Sequence, residues 1–128
     1  MTGRLIFMGE IKKPVANSLH HADALSFMRR LQPAGSGIDY WAVADSGKYP
    51  LDYQMGQRLG NEYLEFVGNH PTLGNANLLG WIVADMARTL DHRGRIDASA
   101  LGFLKVVNEY AIAAAAIMAM PRGNDAAE

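Results

Sequence analysis

The chain has 128 residues, 49% of them hydrophobic and 20% charged, the balance of a globular protein rather than a disordered one. Its 12 basic and 13 acidic residues leave a formal charge of -1, which lacks the electrostatic footprint of a non-specific nucleic-acid binder. It has no cysteine, so disulfides, thiolate nucleophiles and cysteine-ligated metal sites are excluded, and a cytoplasmic location is the expectation.

The length suits one helical domain, expected over residues 1–121 with 1–13 as an N-terminal arm and 122–128 as a flexible polar tail. The arm has one short apolar run, Leu5 to Met8, which falls short of a signal-peptide core. A first helix is predicted from Pro14 to about Gln32. Ala24, Leu25, Phe27, Met28 and Leu31 share one arc at about 100° per residue. PAGSG, residues 33–37, is a loop. The segment 38–44, IDYWAVA, is ambiguous between helix and strand. Ser36 and Asp39 resemble a weak helix start, whereas the aromatic and β-branched residues suit a strand whose evident partner is Arg4 to Met8. It reads as a short helix or an irregular segment, with the strand as the alternative.

After the loop DSGKYP a second helix runs from about Leu51 to Val67, ended by GNHPT. The third spans about Leu73 to Leu90 and stops at DHRGR, where Gly94 is the stop signal. Asp97 or Ser99 caps a fourth that reaches Met120 and ends at Pro121. The predicted fold is therefore mainly α, a bundle of about four helices with an N-terminal arm.

Two glycines interrupt this pattern. Gly56 and Gly60 lie inside the second helix, where each costs about 1 kcal/mol relative to alanine. Both fall in the apolar arc with Met55, Leu59, Tyr63, Phe66 and Val67. The third helix carries a bulky strip, Leu79, Val83, Met86 and Leu90, beside a small one, Ala76, Gly80, Ala84 and Ala87. Facing small strips let two helices approach at the short end of the usual separations, so the expectation is a close contact between the second and third helices.

Catalytic signatures are absent from the sequence. No G-x-S-x-G elbow or phosphate loop is present, and no carboxylate pair stands out. His20 and Asp23, spaced i and i+3, make half a metal site that would need His70 or His92 to complete it. Neither a metal nor a cofactor is expected. Arg88, Arg93 and Arg95 are nearly cancelled by Asp91 and Asp97, the mark of a solvated turn.

Two features point to protein contacts instead. Trp81 lies on the polar side of the third helix with Asp85 and Arg88 and adjoins Leu78; either another part of the chain, such as residues 36–50, covers it, or it anchors a partner, since Trp and Arg are enriched at interface hot spots. The fourth helix loses its wet face beyond Tyr110, since Ile112, Ala113, Ala116 and Ala119 are all uncharged. The run from Tyr110 to Met120 is too short to span a bilayer. The leading expectation is a small, non-enzymatic interaction, adaptor or regulatory protein that forms a homo-oligomer, with a surface including Leu78, Trp81, Asp85, Arg88, Ile112 and Ala116. The alternative is a small-molecule-binding protein or small enzyme with a pocket among His20, His21, Tyr40, Trp41 and Tyr53. A nucleic-acid partner is disfavoured by the charge balance, and no membrane partner is expected.

Overall fold

A computed structural model describes residues 20–91 and 93–121. The described part is mainly helical, with α1 (His21–Ala24), β1 (Arg29–Arg30), β2 (Ile38–Asp39), α2 (Tyr49–Asn69), α3 (Leu78–Met86) and α4 (Ala98–Ala119) in chain order. Single 3-10 turns, Leu73–Asn75 and Ala87–Thr89, flank α3. The N-terminal arm, the start of the first predicted helix, His92 and the tail 122–128 lie outside the described residues.

The first helix differs most from expectation. Within the described chain it is only His21–Ala24, capped by His20, whose ring nitrogen Nδ1 accepts from the Ala22 N–H at 3.0 Å. To continue, the helix would need the Ser26 N–H to donate to a carbonyl four residues back. That N–H donates instead to Glu62 of α2 at 2.7 Å, and the Ser26 hydroxyl donates to the other oxygen of the same carboxylate at 2.7 Å. A charged acceptor reached across the fold outweighs local helical preference. The chain then turns, and Arg29–Arg30 pair antiparallel with Ile38–Asp39, with Arg29 opposite Asp39 and Arg30 opposite Ile38. The start of the ambiguous 38–44 segment is thus a strand, and its partner is Arg29–Arg30, from within the predicted first helix. The Ala42 N–H donates to the Phe27 carbonyl at 2.7 Å and carries the pairing past the ladder.

The other helices lie close to their predicted positions. Pro50 sits in the first turn of α2, where its missing N–H costs no bond. At the far end His70 stacks on Phe66, rings 4.4 Å apart, and its Nδ1–H donates to the Phe66 carbonyl at 2.9 Å. The predicted third helix is α3 with a 3-10 turn at each side. It presents Leu78, Ile82 and Met86 to the core, while Val83 and Leu90 of the expected bulky strip are exposed. Asp97 caps α4, accepting from the Ala100 N–H at 2.9 Å and the Ser99 hydroxyl at 3.0 Å.

The glycines in α2 do serve a close helix contact, but with α4 and not with α3. A methyl group on Gly56 would overlap the Ser99 carbonyl, one on Gly60 would meet the Phe103 carbonyl and Val106 Cβ at 2.9 Å, and one on Gly102 would overlap the Tyr53 carbonyl. The two backbones therefore touch directly. By contrast, an added methyl on Gly80 meets nothing within 4 Å, and Ala76, Ala84 and Ala87 face solvent. The wheel placed the α3 residues correctly relative to one another but not relative to the bundle. Leu78 and Ile82, larger and further round, took the inward direction.

The core closes over this crossing. Phe103 is fully buried and has Trp41, Phe27 and Tyr63 around it, with ring centroids at 5.1, 5.4 and 5.5 Å. The Phe27 and Trp41 contacts are edge-on, the geometry aromatic quadrupoles favour. Residues 25–41 thus contribute Leu25, Phe27, Met28 and Trp41 to the core although they contain no helix.

Candidate functional site

Three surfaces merit description. The first gathers residues that the sequence left in separate groups. His20 and His21 lie with ring centroids 3.8 Å apart, His21 is 5.5 Å from Tyr40 and 6.3 Å from Trp81, and Tyr40 is 5.5 Å from Trp81. Asp85, one turn along α3 from Trp81, ties the cluster down. Its Oδ2 accepts from the Tyr40 backbone N–H at 2.7 Å, and its Oδ1 faces Arg88 at 3.4 Å. The strand segment therefore covers one edge of Trp81 and leaves the indole 42% exposed. A shallow hollow of about 220 Å³ opens there, lined by Ile38, Tyr40, Trp81, Ala84 and Asp85.

The remaining expected site residues lie elsewhere. Trp41 is in the core against Phe27 and Phe103, and Tyr53 stacks on Tyr49 at 6.1 Å on α2. Leu78 is fully buried, while Arg88, Ile112 and Ala116 are exposed. Asp23 is held by Arg30 through two parallel hydrogen bonds of 3.0 and 2.9 Å, so its carboxylate is occupied rather than aimed at His20. Among the described residues no group of His, Asp and Glu side chains is arranged to hold a metal ion.

His21 is buried, and its Nδ1 has no hydrogen-bond partner among the described residues. Burial, with the nearby His20 and Arg30 acting the same way and Asp23 opposing them, lowers its pKa from 6.5 to about 4. The unfolded chain therefore binds a proton between these two values that the folded protein refuses. Stability should be level in this respect above pH 6.5, fall as the pH drops from 6.5 towards 4, and level off again below that. Urea titrations across the range should show this slope in the parent and its loss in His21→Phe. An unchanged slope in the variant would assign the effect to other groups.

The second surface was not anticipated from the sequence. A cleft of about 460 Å³ is lined by Asp45, Tyr49, Asp52, Asp91, Arg95 and Asp97, among others. Each of its carboxylates serves a local turn or cap. Asp45 accepts from the Gly47 N–H, Asp52 from the Ser46 N–H, and Asp91 from the Arg93 and Arg95 N–H groups, while Asp97 caps α4. Hydrogen bonding with Asp45, then with Ser46 and Gly47, holds the Asp52 pKa below the usual carboxylate value, against its burial. The turn motifs DSGK and DHRGR were legible separately, but their meeting was not, because it depends on the α2–α4 crossing.

The third surface is the free end of α4. Every residue from Tyr110 to Met120 is exposed, and none carries a charge. Tyr110, Ile112, Ile117, Met118 and Met120 are each at least 60% exposed. Lys105 and Glu109, paired at 2.8 Å, mark the last charged turn before it. No protein-family model, curated protein or solved structure matches this chain, so its own geometry carries the functional argument.

Proposed function

We propose that this is a non-enzymatic interaction protein of the cytoplasm that assembles with further copies of itself through the free end of α4. The observation that supports this reading is the uncharged helix end from Tyr110 to Met120, exposed on every side. A helix apolar all round is one that is buried all round, and large exposed apolar patches mark interaction sites. The whole of α4 is long and apolar enough to cross a membrane by length and composition. Its first half, however, is committed to the α2 crossing through Ser99, Gly102, Phe103 and Val106. The uncharged part alone spans about 16 Å against a hydrocarbon core of about 30 Å. A protein partner therefore suits it better than a bilayer.

Multi-angle light scattering after size-exclusion chromatography tests the reading. The parent should elute as a dimer or larger species, and Ile117→Glu combined with Met118→Glu should elute as a monomer with an unchanged far-ultraviolet spectrum. A parent that stays monomeric at several hundred micromolar would refute it.

A further inference from the structure

The outer face of α3 supplies what the free end of α4 lacks. Viewed down α3, the exposed residues fall in the order Val83, Gly80, Ala84, Trp81, and Ala87 and Arg88 follow in the 3-10 turn. Gly80, Ala84 and Ala87 make a low floor, and an added methyl on Gly80 meets nothing. Val83, 40% exposed, and Trp81 form the two walls. The one cation on this face, Arg88, is already paired with Asp85. At the Trp81 wall lies the hollow of about 220 Å³, large enough for an isoleucine or methionine side chain.

Resting on the self-association reading, we propose that the free end of α4 of one copy lies in this α3 groove of a second copy, reciprocally about a two-fold axis, with Ile117 or Met118 in the hollow beside Trp81. The area argument favours this over direct pairing of the two helix ends. A helix end of this length has a lateral surface of roughly 500 Å². Pairing the two ends hides only their facing halves, roughly 500 Å² in total, about half of the roughly 1,000 Å² total that a specific interface must reach. Reciprocal seating buries an end and a groove on each copy, which brings the total to roughly 1,000 Å², the threshold of a specific interface. The charges on these surfaces are Arg88 and the Asp85 that lines the hollow, and these two are paired with each other, with Asp85 also accepting from the Tyr40 N–H, so seating strands no unpaired ion. A low floor of Gly and Ala also lets an alanine-rich helix approach closely, and an isologous arrangement closes as a dimer without leaving a free end.

The absence of cysteine makes the test clean. Ala84→Cys and Met118→Cys are prepared separately, mixed and mildly oxidised. The expected product is a mixed disulfide dimer linking positions 84 and 118. Ala84→Glu, at an exposed site, should melt as the parent does at low concentration yet associate at least tenfold more weakly. Dimers bridged only between the two 118 positions, with Ala84→Glu associating normally, would overturn the groove while leaving self-association standing. A parent that does not associate at all would overturn both.

Discussion

Gly56→Ala should lower stability by about 3 kcal/mol even though alanine is the better helix former. The propensity gain is about 1 kcal/mol, but the new methyl would occupy the space of the Ser99 carbonyl carbon and oxygen. Backbone cannot swing aside as a side-chain tip can, so α2 and α4 must separate along the whole crossing. Overpacking typically costs about 1–3 kcal/mol, and a collision with main chain belongs at the upper end or beyond. Gly102→Ala should behave alike, because its methyl meets the Tyr53 carbonyl. Gly80→Ala and Gly68→Ala carry the opposite sign. Both sites are helical with open space around the new methyl, so each should gain about 0.5–1 kcal/mol. Chemical denaturation of the four variants checks the set. Equal effects at Gly56 and Gly80 would mean that α2 and α4 do not touch backbone to backbone.

Phe103→Ala should cost about 3–5 kcal/mol, a large share of the about 5–15 kcal/mol that domains of this size possess. The ring is fully buried, and three aromatic neighbours from two other parts of the chain meet on it. Phe27 and Trp41 come from the non-helical segment before α2, and Tyr63 comes from α2 itself. Deleting the ring therefore leaves a cavity and also detaches that segment from the helices. Near-ultraviolet circular dichroism should lose the Trp41 signal before the far-ultraviolet helical signal declines. Simultaneous loss of the two would show that the segment and the helices unfold as one unit.

These two sites show what could be read from the chain and what could not. The three longer helices were legible because periodicity, proline placement and the Asp97 cap are local. The presence of a close glycine contact was legible too, since Gly56 and Gly60 stand in an apolar arc. Its partner was not. In α4 the small buried residues Ala98, Ser99 and Gly102 lie at the helix start, where they read as a cap and first turn, and the more conspicuous Ala/Gly strip of α3 drew the assignment. The hairpin Arg29–Arg30 with Ile38–Asp39 was hidden for a similar reason. Leu25, Phe27 and Met28 are buried whether the backbone is helical or not, and the deciding bonds from Ser26 to Glu62 join residues 36 positions apart. His20, His21 and Tyr40 were grouped as a possible pocket, and residues 36–50 were a possible cover for Trp81, but the meeting of the two groups on Tyr40 followed from that hairpin.

The backbone contact of α2 with α4 also has a mechanical side. Interfaces made of long side chains absorb small shear by exchanging rotamers, whereas Gly56, Gly60 and Gly102 offer no rotamers to exchange. The crossing is a stiff fulcrum near one end of α4, and the uncharged turns beyond it form the long arm. A force on that arm, from whatever grips it, would reach α2 and the Phe103 ring as torque with little slack to dissipate it.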